Sequence, residues 1–219
     1  MLLVAILVIA AVLIGVLVWY FRSPKPLDYI PVLSGSKSGA DETINTLTIP
    51  LSENQPEGIV FTYTGWLLIN DFTTGYGKRR RIFSKGDCPG MYLDSTSNSL
   101  IVAVNTYGSQ ETILVPNIPA KKWIHFAITV NQYAVDIYIN GTLRIHHTLG
   151  QLPKQNDDQL KLGGGWDGVI GRVSYYPKSM SMSQVEGLSR QEPPSDLYQA
   201  PAAPQYFDMS WYIGRLNSA

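Results

Sequence analysis

The sequence predicts an all-β protein, a two-sheet antiparallel sandwich preceded by one transmembrane helix. Two observations predict the sandwich: alternating apolar runs fill residues 123–145, and short runs of the same kind recur between residues 43 and 190. A sheet with one deeply apolar face needs a second layer to cover it. One observation predicts the membrane helix, the uncharged apolar stretch of residues 2–21.

The apolar stretch is long enough to be a membrane anchor. As a helix it would span about 30 Å, the thickness of the hydrocarbon core of a bilayer. A cleaved signal peptide would need a basic start, a shorter apolar core and a small-residue cleavage site, which this sequence lacks. We therefore predict an uncleaved anchor that contacts the lipid bilayer through residues 1–21. The residues expected at the membrane interface are Trp19, Tyr20, Arg22 and Lys25.

Charge bias predicts the orientation of the anchor. No Lys or Arg precedes the span, whereas Arg22, Lys25 and Lys37 follow it, so we expect a single-pass protein with its sandwich on the cytosolic side. Proline and Ser/Gly residues over 22–42 predict a stalk. The sandwich is expected over 43–190, with a turn or two of helix near residue 185. Residues 191–219 are expected to form an extended tail.

The central strand pattern is the most regular part of the sequence. In WIHFAITVN, residues 124, 126, 128 and 130 are apolar and fall on one face of a strand. After the next run, Asn140-Gly141 is a strong hairpin signal because both residues tolerate the positive φ of a type I′ turn. This segment is therefore predicted to form a β-meander.

Composition excludes some function classes. The 17 Lys+Arg residues balance the 17 Asp+Glu residues, so the zero net charge argues against a nucleic-acid partner. One cysteine, Cys88, excludes an internal disulfide. His146 and His147 are adjacent on a predicted strand, so they point to opposite faces and cannot chelate one metal together.

Several of these segments together resemble a known family. IFSKG, MYLDS, KKWIHFAITVNQYAVDIYINGTLR and LKLGGGWDGVIGRVSYYPKSMSMSQVEGL are similar to laminin G-type jelly-roll domains of the concanavalin A-like lectin/glucanase superfamily. The resemblance covers roughly residues 55–190 and implies two stacked antiparallel sheets. It fixes no function, since this fold carries lectins, glycosidases and adhesion modules.

The resemblance also implies which residue pattern a catalytic site would need. Glycosidases with this fold are expected to carry an E-x-D-x-x-E run that places two acids in one cleft, and this sequence has no such run, so we predict no enzyme and no catalytic residues. We expect no cofactor and no metal, with calcium kept as a minor alternative. Its candidate ligands are Asp87, Asp94, Asp157 and Asp158.

Two groups of residues are candidates for contact with a partner. Lys78, Arg79, Arg80 and Arg81, with Lys85, form the one strong charge cluster, which is either a solvated rim or a contact with an anionic surface. A lectin surface would use an exposed aromatic residue, for which Tyr76, Tyr107 and Trp166 are candidates. Packing in the core is the stronger expectation for Trp166.

These observations leave two hypotheses for function. The first is a membrane-anchored, non-enzymatic structural protein that contacts protein neighbours in a larger assembly, such as a minor capsid or virion membrane protein linking an internal membrane to a capsid. The alternative is a membrane-tethered carbohydrate-binding or adhesion module.

Overall fold

The computed structural model describes residues 9–16, 29–55 and 58–196. Residues 9–16 are helical (α1) and expose apolar side chains such as Ile9 and Leu13. Thirteen strands and a second helix follow within the described residues: β1 Ile30–Ser38, β2 Thr43–Asn45, β3 Glu53–Gln55, β4 Gly58–Ile69, β5 Arg80–Lys85, β6 Gly90–Leu93, β7 Leu100–Val104, β8 Glu111–Val115, β9 Trp123–Asn131, β10 Ala134–Ile139, β11 Thr142–Thr148, β12 Leu160–Leu162, β13 Gly168–Tyr176 and α2 Met182–Ser189.

The strands form two antiparallel sheets, as the sequence predicts. The seven-stranded sheet has the order β1-β13-β4-β9-β10-β11, with β3 paired to β4 beside this path. The six-stranded sheet has the order β2-β12-β5-β6-β7-β8. The predicted meander is β9-β10-β11, and its turn carries Asn140 and Gly141 at φ 51° and 78°.

The main core lies between the two sheets. The face of β9 predicted to be apolar, residues 124 to 130 in alternation, is buried there beside Phe83 and Trp166. The other face of the seven-stranded sheet is also partly covered, because α2 packs Val185 against Ala127 and Tyr138. The helix expected near residue 185 is therefore confirmed, and it covers part of one outer face of the sandwich.

The predicted stalk is wrong in part, because residues 30–38 form β1 at the edge of the seven-stranded sheet. Pro31 and Gly35 had indicated a linker. An edge strand tolerates proline since one side of its backbone has no partner strand, and bulges flank Leu33. The start of the predicted tail is also attached, because the Asp196 carboxylate accepts hydrogen bonds from the Ser36 backbone N–H and hydroxyl, both at 2.7 Å.

The predicted anchor falls mostly outside the described residues. In the part of the chain that the structure describes, no helix is both long and apolar enough to cross a membrane. Residues 1–8 and 17–28 are not described, and the predicted interface residues Trp19, Tyr20, Arg22 and Lys25 lie in the second of these segments.

Candidate functional site

A polar groove lies on the outer face of the six-stranded sheet, where β12 pairs with β5. Its volume is about 530 Å³. Three carboxylates and two cations line it together with one tyrosine: Asp87, Asp157, Asp158, Arg81, Lys161 and Tyr92. Strand pairing brings these residues together from distant parts of the chain, since Lys161 lies opposite Ser84 and Arg81 lies opposite Tyr92.

Asp87 is held rigidly at one end of the groove. Its carboxylate accepts hydrogen bonds from the Ser84 hydroxyl at 2.8 Å, the Gln110 amide at 2.9 Å and the Tyr92 hydroxyl. Burial raises the pKa of Asp87, but these hydrogen bonds outweigh burial and keep the pKa below its ordinary value. Asp87 is therefore a pre-organised anion. Gly90 permits this arrangement, because a Cβ there would lie 2.3 Å from the Asp87 carboxylate.

The loop that carries Asp157 and Asp158 is fixed to β5 by Lys85. The Lys85 ammonium donates to the Asn156 backbone carbonyl, and the Asn156 amide donates back to the Lys85 carbonyl at 2.9 Å. Lys85 is buried, and burial lowers its pKa. Lys85, predicted as an interaction residue, thus positions the acidic loop and does not present an open charge.

Arg81 and Lys161 form the basic side of the groove and share one anionic partner. The Arg81 guanidinium pairs with Glu42, and the Lys161 ammonium lies 3.5 Å from the other Glu42 oxygen. All three side chains keep part of their surface in solvent, so a ligand can reach them. These pairs hold the two cations in place without burying them.

The predicted basic cluster divides into three environments. Lys78 and Arg79 are exposed, and the Arg79 guanidinium carbon lies 3.7 Å from the centre of the Tyr92 ring, a cation–π geometry. Arg81 lines the groove. Arg80 is only 2% exposed, and its guanidinium donates to the backbone carbonyls of Phe72, Thr74 and Asp94. Arg80 is therefore a structural residue and not part of a contact surface.

The predicted aromatic candidates also separate. Trp166 is 0% exposed, so it cannot contact a ligand from solvent, and the stronger expectation that it packs in the core is the one the structure shows. Its indole N–H donates to the Arg81 carbonyl at 2.8 Å, which ties the core to the groove strand. Tyr76 and Tyr107 are exposed, as a lectin surface would require, but neither lines the groove.

The calcium candidates do not form a recognisable metal site. Among the described residues, no group of three or more Asp, Glu, His or Cys side chains is arranged to hold a metal ion. Asp87, Asp157 and Asp158 do share the groove, while Asp94 lies elsewhere and accepts hydrogen bonds from Ser97 in its own turn. Calcium binding thus stays a minor alternative.

The three histidines occupy different settings. His146 contacts Asp136, and His147 contacts Glu111 at 2.8 Å, so the adjacent pair diverges as the strand pattern predicts. His125 is buried on the outer face of the seven-stranded sheet. Burial lowers the pKa of His125 from 6.5 to about 4, so the imidazole is neutral near neutral pH.

We expect His125 to make stability depend on pH. In the unfolded chain its pKa returns to 6.5, so as the pH falls the unfolded state binds the proton first. The stability conferred by neutral His125 is complete above that value and is lost on acidification toward its folded pKa. The total loss is about 3 kcal/mol.

Urea unfolding of the wild type and of His125→Gln, from about pH 7 to about pH 4, measures this effect. The wild type should lose about 3 kcal/mol more than the variant over this range. Parallel profiles of the two proteins would show that His125 does not titrate in this way.

Residues 41–186 match a family model described as the concanavalin A-like lectin/glucanases superfamily. The chain belongs to this superfamily. No curated protein matches the chain. The resemblance seen in the sequence motifs is thereby confirmed at the level of the superfamily.

Solved structures of similar fold are larger than this superfamily member. The botulinum neurotoxin serotype D ligand-binding domain in complex with N-acetylneuraminic acid aligns with a TM-score of 0.58 and 12% identity, covering 77% of this chain and 47% of that chain. Botulinum neurotoxin type C, whose cell entry depends upon interaction with two ganglioside molecules, aligns with a TM-score of 0.54 and 15% identity. The alignment covers 74% of this chain and 50% of that chain. The binding domain of Paraclostridial Mosquitocidal Protein 1 aligns with a TM-score of 0.51 and 17% identity, covering 77% of this chain and 48% of that chain.

This chain spans about half the length of those neighbours or slightly less. At such low identity the likeness establishes the fold alone. Sequence reasoning had found the acidic and basic residues of the groove separately, but it missed Tyr92, Lys161 and the bridging Glu42. The alternation in GMYLDS was a signal that Tyr92 and Met91 face opposite sides of β6.

Proposed function

We propose that this chain is a non-enzymatic carbohydrate-binding module and that the polar groove is its binding site. The observation that carries the proposal is the presence of acceptors and donors in one concavity on a rigid sheet. Asp157 and Asp158 can accept hydrogen bonds from sugar hydroxyls, while Arg81 and Lys161 can donate to hydroxyl or acidic oxygens. The groove volume falls within the usual range of about 300–1,000 Å³ for small-molecule sites.

The fold neighbours support the choice of ligand class. One is a complex with N-acetylneuraminic acid, and another is described as dependent upon two ganglioside molecules. Both ligands carry sugar hydroxyls and an acidic group, which suit a groove with carboxylates on one side and cations on the other. This is the alternative hypothesis from the sequence, and we now prefer it to the capsid-linking hypothesis.

A glycan array probed with the full chain in detergent micelles, followed by titration calorimetry with the best glycan, tests the proposal. The double variant Asp158→Asn/Lys161→Met should weaken binding at least about tenfold, since a hydrogen bond to a charged group contributes about 1.5–3 kcal/mol. Lys154→Met, an exposed change outside the groove, is the control and should bind like the wild type. Equal affinity of the double variant and the wild type would contradict the proposal.

The membrane-anchored part of the first hypothesis stays a prediction. The exposed apolar side chains of α1 are consistent with it, but most of residues 1–21 lie outside the described residues. Vesicle flotation of the full chain and of a chain lacking residues 1–21 tests it. The minor-capsid function, the cytosolic orientation and the expectation of no enzymatic activity likewise remain predictions.

A further inference from the structure

A second recess lies on the opposite outer face of the sandwich, on the seven-stranded sheet. Its cavity has a volume of about 260 Å³. Its floor comes from three adjacent strands, β13, β4 and β9, while β1 and the end of α2 wall it on two sides. We call it the aromatic pocket, after the lining residues Tyr29, Trp66, His125 and Tyr176.

His125, which lines this pocket, has an unsatisfied ring nitrogen. The residue is 2% exposed, and its Nδ1 has no hydrogen-bond partner within the described part of the chain. The ring lies edge-on to Trp66, with 5.3 Å between ring centroids. Buried polar atoms are normally hydrogen-bonded, so the unpaired Nδ1 is an unfavourable feature of this residue.

Aromatic rings surround the remaining space. Tyr176 is buried in the floor, and Tyr29 lies beside it with 5.5 Å between centroids and 30° between ring planes. Tyr29 is 54% exposed, so it stands at the mouth. Rings arranged in this way favour a flat ligand ring that stacks or packs edge-to-face.

The charge of the residues that line the pocket determines which polar group of a ligand can bind there. Arg172 is the one charged residue among those lining the pocket. One of its N–H groups donates to the Glu192 carbonyl at 2.6 Å, out of the five that a guanidinium has. Hydrogen bonds from Ser36 and, to a smaller extent, the charge of Arg172 lower the pKa of the nearby Asp196 carboxylate. Arg172 has further N–H groups, which can donate to an anionic group of a ligand at the mouth of the pocket.

We infer that the aromatic pocket binds a small aromatic carboxylate. Its ring would lie against Trp66 and Tyr176, its carboxylate would pair with Arg172, and a polar atom on the ring edge would hydrogen-bond to His125. The cavity has room for a ligand of one or two rings. This site is separate from the polar groove, which lies on the other sheet, and the inference does not depend on the proposed carbohydrate function.

Isothermal titration of the full chain with three probes tests the inference: indole-3-carboxylate, the neutral indole-3-carboxamide, and benzoate, which lacks a ring N–H. Indole-3-carboxylate should bind about tenfold tighter than either of the others, as the loss of one well-placed hydrogen bond predicts. Arg172→Gly should abolish the preference for the carboxylate over the carboxamide. The glycine suits the backbone there, since Arg172 has a φ of 46°.

Further variants separate the pocket from the rest of the surface. His125→Phe should abolish the preference for the indole over benzoate, and Ser174→Phe should block all three probes by filling the cavity. Arg144→Gln, outside the pocket, and the groove variant Asp158→Asn/Lys161→Met should both bind like the wild type. Circular dichroism checks that each variant is folded.

Two results would overturn the inference. The first is the absence of binding of indole-3-carboxylate to the wild-type chain at millimolar concentration. The second is binding that a folded Ser174→Phe variant retains undiminished.

Discussion

Replacing Trp166 with alanine will lower the free energy of unfolding by about 3–5 kcal/mol. Trp166 is fully buried in the core between the sheets, and its indole N–H donates to the Arg81 carbonyl. The surrounding backbone is fitted to the indole: a Cβ on Gly39 would lie 2.2 Å from the ring, and a Cβ on Gly168 would lie 2.3 Å from it. These rigid neighbours limit collapse into the space that alanine would leave.

Urea unfolding followed by circular dichroism measures this loss. Tyr76→Ala is the matched control, because Tyr76 is an exposed aromatic residue and its removal should change stability by no more than about 0.5 kcal/mol. A Trp166→Ala protein as stable as this control would show that the indole is not packed as described. The Trp166→Ala variant should also weaken ligand binding at the groove, because the Trp166 indole supports the backbone of Arg81.

Arg80→Met will destabilise the fold by about 2–4 kcal/mol, whereas the same change at the neighbouring Arg79 will cost about 1 kcal/mol or less. Arg80 donates to the Phe72 carbonyl at 2.8 Å and to the Thr74 carbonyl at 2.7 Å. It donates also to the Asp94 carbonyl, so that it joins two loops. Methionine keeps much of the volume but leaves these carbonyls without their donor.

The two arginine variants are adjacent in sequence and remove the same charge. A comparison of their unfolding free energies in urea therefore cancels the effect of net charge. Equal stability of the two variants would refute the structural assignment of Arg80. If the difference is found, replacing the whole run from Lys78 to Arg81 cannot isolate an electrostatic contact, because the loss of Arg80 alone would destabilise the domain.

The sandwich could be predicted because alternation is a local property. The apolar face of β9 and the hairpin at Asn140-Gly141 are each written in a few consecutive residues. β1 could not be predicted in this way. Pro31 and Gly35 usually indicate a linker, and only the position of β1 at a sheet edge makes them compatible with a strand.

The sequence indicated individual residues of the groove, but not that they form one site. Asp87, Arg81 and Asp158 all stood out in the sequence, but as a calcium candidate, a member of a charge run and another calcium candidate. Their common location depends on the pairing of β12 with β5, which joins residues more than seventy positions apart. The burial of Arg80 has a similar origin, since the carbonyls that receive its hydrogen bonds belong to two loops that only the folded chain brings together.

The position of the two ends of the sandwich gives the molecule a back and a front. Tyr29, directly before β1, and Gln191, just after α2, both line the recess on the seven-stranded sheet. The first strand of the sandwich and its last helix therefore meet on the back. The front, which is the six-stranded sheet with Asp87 and Lys161, lies on the opposite face, so neither of these two elements covers the groove.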